Sequence, residues 1–221
     1  MNQTINIGIA SVASRESDLH KVLLSLYKQA DYIYVVLNGY KEIPQYVWEL
    51  DNVFATIGDN VHGANSKFLM AQECPHSYFF GCDDDLVYPE GYIAYMKAGV
   101  DKYNGLVSLH GKKYLSPVTS FKNWAGNYRC LNTVSEDVHV SVVGSGVCAF
   151  HTDRLKVSLS DFKKKNMSDL YLSKIATEQG VPMVVLKHDM NYLTYLPQVN
   201  TIWRSITNFD ERTEVLKSFV K

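Results

Sequence analysis

Residues 77–85 read Ser-Tyr-Phe-Phe-Gly-Cys-Asp-Asp-Asp, a largely apolar run that ends in three consecutive carboxylates. Residues 77–81 have the aromatic, uncharged character of a strand inside a sheet. In α/β folds the ligand crevice opens outside the carboxyl ends of such strands. Asp83, Asp84 and Asp85 fall at that end. Carboxylates this close repel, and each raises the pKa of the others unless a cation neutralises them. A hard divalent cation does so with oxygen ligands, typically one or two carboxylates plus substrate phosphates. The triplet therefore reads either as the seat of a metal-bound phosphorylated ligand or as an acidic, solvated turn.

Working outward, residues 5–12 (INIGIASV) form a short β-rich run, and Leu19, Val22, Leu23 and Leu26 recur at helical spacing up to about Gln29. Residues 32–37 (YIYVVL) are continuous enough for a strand buried on both faces, closed by Asn38-Gly39. Residues 53–57 make a third strand, ending at Gly58-Asp59-Asn60, and residues 63–73 read as a helix. Pro89 opens another helix at its favoured first position, and residues 105–109 make a fifth strand. This alternation predicts an α/β fold with a mostly parallel sheet flanked by helices.

The second half is less regular. Residues 112–130 scatter Gly, Pro, Asn and Ser among aromatics, as a long loop or an irregular hairpin does. Residues 138–143 read as a strand, Gly144-Ser145-Gly146 as a break, and residues 147–150 as resumed extended chain. Residues 162–166, with three lysines, read as an exposed loop. Residues 168–179 read as a helix with Ser168 as N-cap and Gly180 as its stop. A strand over 182–186 and an amphipathic helix over 208–220 complete the chain.

The 221 residues suit a single domain, 1–221, in two halves, 1–110 and 111–221. Lys plus Arg number 22 and Asp plus Glu 23, a net charge of −1 that argues against general nucleic-acid binding. No run approaches the roughly 18 apolar residues of a membrane-spanning helix, and residues 1–12 carry no signal-peptide pattern. Cys74, Cys82, Cys130 and Cys148 form no CxxC pair and read as free thiols of a reducing compartment.

The order of the first strand, the Asn38 turn, the Asp59 turn, the start of the 63–67 segment, the Asp triplet and the Gly144–146 break resembles a GT-A glycosyltransferase. Within that fold it is most similar to the family-2-like bacterial or phage enzymes. The resemblance runs from about Ile5 to His188 and rests on motif order. It implies a Rossmann-like sheet with a nucleotide-sugar-binding half (1–110) and a smaller, irregular acceptor-binding half with a C-terminal helix (111–221). It also implies an Asp-x-Asp motif that holds the donor diphosphate through Mn²⁺ or Mg²⁺.

Position by position, the resemblance implies that Ala10, Ser11 and Arg15 edge the base pocket and that Asn38 and Asp59 contact the nucleoside. It implies that the backbone at Gly63 approaches the donor, that Lys67 faces a phosphate, and that Asp83 touches ribose or metal. Asp84 joins the donor site and Asp85 is the direct metal ligand. The Gly144–Val147 segment, with Gly146, lies beneath the donor sugar. Asp169 takes the place of the general base of inverting enzymes, although Ser168 stands where those enzymes often carry Glu. His188 completes the metal site with Asp85, and His151 lines the acceptor side.

Plainer readings stand beside these: Asn38 and Asp59 as turn formers, Arg15 and Lys67 as solvated charges, Gly144–Gly146 as a bulge. Asp169 can simply stabilise a helix start, and His188 can be an ordinary strand-end residue. Trp203-Arg204 reads either as a lid over the diphosphate or as packing for the last helix. The resemblance implies a metal-dependent inverting transferase that moves a sugar, most often from a UDP-sugar, to a hydroxyl of a saccharide or glycoconjugate in cytoplasmic polysaccharide assembly. Peripheral contact with a membrane stays open. A retaining transferase, a nucleotidyltransferase and a non-catalytic sugar-nucleotide-binding protein are the alternatives. The nucleotidyltransferase is disfavoured because residues 13–16 (Ala-Ser-Arg-Glu) lack a glycine-rich phosphate loop.

Overall fold

The buried alternation of the first strands builds an eight-stranded sheet with helices on both faces. The computed structural model describes residues 3–198, 207 and 209–221. Its strands are β1 (Ile5–Val12), β2 (Tyr32–Asn38), β3 (Val53–Gly58), β4 (Tyr78–Asp83), β5 (Leu86–Val87), β6 (Leu106–Ser108), β7 (Gly111–Lys113) and β8 (Gly126–Tyr128). They continue as β9 (Val138–His139), β10 (Val142–Val143), β11 (Val147–His151), β12 (Met183–Val185) and β13 (Thr194–Tyr195). The helices are α1 (Glu16–Leu26), α2 (Gln45–Trp48), α3 (Tyr92–Tyr103), α4 (Ser168–Glu178) and α5 (Phe209–Lys217).

The large sheet runs β3-β2-β1-β4-β11-β6-β12-β9. β1 pairs in parallel with both β2 and β4, β2 with β3, and β6 with β12. β11 is antiparallel to β4 and β6, and β9 is antiparallel to β12. The chain leaves β1 toward β2 and β3, then crosses back to β4 on the other side of β1. The reversal leaves a crevice at the carboxyl ends of β1 and β4, where Ala10 lies opposite Asp83.

Period-two alternation sends neighbouring side chains to opposite faces. Ile7, Ile9, Phe80 and Cys82 join Leu19, Val22, Leu23 and Leu26 of α1 and Tyr92, Ile93, Met96 and Val100 of α3 in one core. Phe79, Cys148 and Phe150 point the other way and pack with Phe68, with Leu170, Leu172 and Ile175 of α4, and with Leu216 of α5. Each large apolar side chain buried this way contributes roughly 1.5–3 kcal/mol of transfer free energy.

Five local expectations change. Pro89 precedes the expected helix and does not open it, since α3 starts at Tyr92 after Gly91, whose φ is +80°. Residues 63–73 form no α-helix but two 3-10 turns, Gly63–Phe68 and Ala71–Glu73. Their polar side chains are buried in tertiary bonds: Asn65 Nδ2 donates to the Lys164 carbonyl (2.8 Å), and Ser66 Oγ to the Gly63 carbonyl (2.7 Å). These bonds offer the chain an alternative to a regular helix.

The 138–143 strand splits. β9 borders the large sheet, whereas β10 joins a three-stranded sheet, β10-β7-β8. Ser141 makes the switch, donating its N–H to the Lys112 carbonyl and its hydroxyl to that of Tyr114. The 112–130 segment is thus an irregular hairpin, with β7 and β8 antiparallel.

Phe162 belongs to the core and not to an exposed loop, because it stacks on Phe68 at 5.1 Å between centroids. Ser168 is the first residue of α4 and not its N-cap. Its hydroxyl instead pairs with Ser145 Oγ at 2.8 Å. The four cysteines are free, as expected. No described helix is long and apolar enough to cross a membrane. Trp203 and Arg204 lie outside the described residues.

Candidate active site

Two cavities meet at Asp83. The first, about 280 Å³, lies at the β1/β4 switch and is lined by Ala10, Ser11, Arg15, Asn38, Gly63 and the Asp83–Asp85 triplet, among others. The second, about 330 Å³, lies under α4 and includes Lys67, Asp83, His110, Lys112, Asp169 and Arg212. Asp83, Ala64 and Asn166 line both.

In the first cavity two acids of the triplet, Asp84 and Asp85, face one cation. Arg15, in the 3-10 turn after β1, donates from Nη1 to Asp84 Oδ1 at 2.7 Å and to Asp85 Oδ2 at 3.3 Å. Burial pushes the Asp84 carboxyl above its ordinary value, and Arg15 pulls it back. Burial, then the charges of Asp83 and Asp84, push Asp85 up to about 7, against the pull of Arg15. Negative charge is therefore only partly compensated there.

Lys67 is neither solvated nor on an α-helix. Its side chain is 2% exposed, and its ammonium donates to Asp83 Oδ1. Burial opposes that charge, but Asp83 outweighs it and holds the Lys67 pKa above its usual value. The ammonium lines the cavity beside Asp83 and does not reach into the first crevice.

Asn38 closes β2 by donating to Ser66 Oγ (3.1 Å) and the Gly63 carbonyl (3.4 Å), which ties the two turns together. Ser11 Oγ pairs with Tyr40 Oη at 3.1 Å. Gly63 has a φ of +56°, and an added Cβ would sit 2.0 Å from Asn166 Oδ1. Only glycine allows that approach, through which Asn166 Oδ1 accepts the Ala64 N–H at 2.9 Å. Asp59 is exposed and accepts the Val61 N–H at 3.0 Å, as a turn former does. Its neighbour Asn60, with φ +63°, lines the cavity in its place.

Gly146 abuts Asp83 so closely that a Cβ would lie 1.8 Å from Asp83 Oδ2. Tyr88 fixes the same junction, accepting the Asp83 N–H at 2.7 Å and donating to the Gly146 carbonyl at 2.6 Å. In the second cavity Asp169 sits in the first turn of α4. Its Oδ1 accepts both the N–H (2.8 Å) and the hydroxyl (2.7 Å) of Ser145. Among the described residues its Oδ2 accepts no hydrogen bond. One oxygen is fixed by neutral donors, and the other remains available.

His188 does not join Asp85. Its Nδ1 faces the Leu186 carbonyl at 2.8 Å and its Nε2 the Arg129 carbonyl at 3.3 Å, in a separate cavity with Tyr95 and Tyr192. His151 lines neither cavity of the site; it packs edge-on against Tyr78. Among the described residues no three His, Cys, Asp or Glu side chains converge as a ready-made metal cage.

Sequence reading missed His110, Lys112, Asn166 and Arg212. Lys112 comes from β7, Asn166 from the loop before α4, and Arg212 from α5. Burial drives the pKa of His110, Lys112 and Arg212 down, and the Asp169 charge opposes it in each case. Nothing in their local sequence marks them, because long-range packing alone brings them to Asp169.

No protein-family model matches the chain, and no curated protein matches its sequence. Solved structures do match its fold. The 1–349 fragment of S. aureus TarS in complex with UDP-GlcNAc aligns with a TM-score of 0.64 at 14% identity, covering 97% of this chain and 64% of that one. A second structure of the fragment aligns at 0.53 and 17% identity, covering 86% of this chain and 59% of that one. A putative glucose-1-phosphate thymidylyltransferase from Bacillus anthracis, in complex with a sucrose, aligns at 0.52 and 11% identity, covering 100% and 97%. The chain thus spans less than two thirds of the length of these TarS chains. TarS is a GT-A-type glycosyltransferase, and the fold of this chain is GT-A-like.

Proposed function

We propose that the chain is an inverting glycosyltransferase that moves a sugar from a nucleoside-diphosphate donor, a UDP-sugar first among them, to a hydroxyl of a saccharide or glycoconjugate. The observation that carries this reading is the junction at Asp83. An acidic crevice at the sheet switch point opens directly onto a cavity holding a carboxylate with one oxygen available. The likeness to TarS, which binds UDP-GlcNAc in its solved structure, supports the same reading.

The nucleoside diphosphate occupies the crevice of Ala10, Ser11, Arg15 and Asn38, and the sugar extends past Asp83 and Gly146 toward Asp169. Asp169 Oδ2 takes the proton of the acceptor hydroxyl. The acceptor oxygen forms its bond to the anomeric carbon as the bond from that carbon to the phosphate oxygen breaks. The electron pair leaves with the nucleoside diphosphate, and the configuration inverts. Ser145 keeps the Asp169 carboxylate oriented throughout.

The donor set also fits a divalent cation. Asp83 and Asp85 are crowded carboxylates whose charge is incompletely balanced, and two carboxylates plus substrate phosphates is a common arrangement for Mg²⁺ and related ions. Bound there, Mn²⁺ or Mg²⁺ would supply charge neutralisation for the departing diphosphate. Asp83 and Asp85, without His188, are the residues that would hold it.

A nucleotidyltransferase is the second reading, favoured by the full-length likeness to the thymidylyltransferase fold. It leaves the Asp169 cavity without a role. Calorimetric titration with Mn²⁺ and a panel of nucleoside diphosphates, on wild type and Asp85→Ala, tests the donor site. The transferase reading expects one diphosphate to bind with metal and the variant to lose it. Incubation with the matching nucleotide-sugar should then release nucleoside diphosphate; release of pyrophosphate from a nucleoside triphosphate plus sugar phosphate would favour the second reading. No nucleotide binding in the presence of metal would overturn both.

A further inference from the structure

One imidazole in the Asp169 cavity has a fixed backbone and an uncommitted ring. His110, between β6 and β7, is partly buried and lines the cavity with Asp83, Ser145 and Asp169. Its N–H donates to Ser108 Oγ at 3.1 Å, and its carbonyl accepts the Gly144 N–H at 2.7 Å. Ser108 Oγ donates in turn to the Gly144 carbonyl at 2.9 Å, which closes the cradle. Among the described residues neither ring nitrogen makes a hydrogen bond.

Gly144 seats the ring. A Cβ there would lie 2.7 Å from His110 Cβ and 3.2 Å from its Cδ2, so the imidazole rests where a side chain would otherwise stand. The next residue, Ser145, holds Asp169 Oδ1 through its N–H at 2.8 Å and its hydroxyl at 2.7 Å. Two consecutive residues, with Cα atoms about 3.8 Å apart, therefore support the imidazole and the carboxylate. Each presents uncommitted polar atoms to the same cavity: the ring nitrogens of His110 and Oδ2 of Asp169. Burial pushes the His110 pKa down, against the pull of the Asp169 charge, so the ring is neutral at neutral pH. A neutral imidazole offers one N–H donor and one bare nitrogen acceptor. A hydroxyl serves either nitrogen, because it both donates and accepts. Both polar groups need such a partner once a ligand expels water from the cavity.

We propose that His110 is a specificity-determining residue, which binds a second hydroxyl of the acceptor on the carbon next to the hydroxyl offered to Asp169. The acceptor class is then a vicinal diol, as in a saccharide ring or a polyol, and not an isolated alcohol. This rests on the transferase reading and names the acceptor chemistry of that site. The imidazole tethers the acceptor without adding charge, and Asp169 Oδ2 stays available for the proton.

The test is transfer to small alcohols by the full chain, supplied with Mn²⁺ and the nucleotide-sugar whose diphosphate it binds. The probes are propylene glycol, trimethylene glycol and propanol. The first has adjacent hydroxyls, the second is its isomer with a further carbon between them, and the third has one hydroxyl. Mass spectrometry counts the glycoside formed from each. Propylene glycol should react at least about tenfold faster than either of the others. His110→Phe and His110→Asn should lose that preference, the first for want of polar atoms and the second for want of reach. His110→Gln, which keeps a donor and an acceptor at greater reach than Asn, should retain part of it. A general packing defect lowers transfer to all three alcohols together and leaves their ratio unmoved. Calorimetry with the diphosphate identifies a variant that fails to fold, and the remaining variants then decide. Equal transfer to the three alcohols by wild type overturns the proposal and leaves the transferase reading standing. A preference that survives in the folded Phe or Asn variant overturns it too, as does the absence of any glycoside while the diphosphate still binds. Failure of every nucleoside diphosphate to bind overturns the transferase reading together with the diol assignment.

Discussion

The two cavities that meet at Asp83 solve the problem of buried charge in opposite ways. In the sheet-switch crevice, cations of the chain compensate three carboxylates in part: Arg15 faces Asp84 and Asp85, and Lys67 faces Asp83 at the border. In the α4 cavity the carboxylate of Asp169 is held by the neutral donors of Ser145, and the nearby cations sit over aromatic rings. Ion pairs position the acids of the crevice, whereas neutral donors orient the acid of the α4 cavity. The comparison predicts that substitutions on one side act on stability and donor affinity, and on the other on turnover.

Asp169→Asn should give the largest effect on turnover. The amide keeps an oxygen toward Ser145 but accepts no proton, so kcat should fall by about 10³-fold, within the range for loss of a general base. UDP affinity should stay within about twofold, because Asp169 does not line the crevice. Equal losses of turnover and UDP affinity would break the division between the two sides.

The next effect is on folding and is asymmetric. Asp83→Asn leaves the fully buried Lys67 ammonium without its counter-charge, at a cost of about 3 kcal/mol. Lys67→Met removes the desolvated cation and leaves Asp83, whose side chain is 42% exposed, able to reach water. Its stability should stay within about 1 kcal/mol of wild type, since replacing a buried ion by an apolar group of similar size is often neutral. Urea denaturation of both variants checks this. A Lys67→Met penalty as large as that of Asp83→Asn would show that the pair, and not the burial of one charge, sets the cost.

The same contrast explains what was legible in the sequence. Strands β2 and β4 were readable because their apolar runs are continuous, and β1 because apolar residues alternate along a β-rich run. The triplet was readable because a strand that ends in carboxylates at a switch point is a local pattern. Asp169 was reached only through resemblance, and its partner Ser145 lies 24 residues away in sequence. Lys112, Asn166 and Arg212 were not legible, because their place in the site depends on a small sheet, a loop and the last helix packing together. The 63–68 segment misled because its helical pattern is overridden by bonds to residues about 100 positions away, such as Asn65 to Lys164.

A subtler effect belongs to Asp85. Its carboxyl titrates near 7 in the fold against 3.8 for an unperturbed Asp. The folded state therefore keeps a proton that the unfolded chain has released, and stability falls as pH rises from about 4 to about 7. Asp85→Asn removes that penalty. The metal-free variant should melt about 2–4 °C above wild type at pH 8 and match it at pH 4. Adding Mn²⁺ and UDP should reverse the order at pH 8, because only wild type retains the ligand. Melting curves at both pH values provide the check, and an equal shift at pH 4 would remove ionisation as the cause.

The smallest effect expected at the site is that of His188. Carbonyl oxygens of Leu186 and Arg129 stand where a metal would approach its two ring nitrogens, and its cavity is separate from the crevice. The isolated bridge between Val134 and His188 adds backbone bonds of 2.8 and 2.9 Å, so the residue ties the 134 segment to the end of β12. His188→Gln should cost about 1 kcal/mol of stability through imperfectly replaced hydrogen bonds. Mn²⁺-dependent UDP affinity should change by less than about twofold, whereas loss of a true ligand costs tenfold or more. A large loss of metal affinity without a matching loss of stability would restore His188 to the metal site. It would also require the 134 and 188 segments to move when donor binds, which would tie the third cavity to the chemistry of the other two.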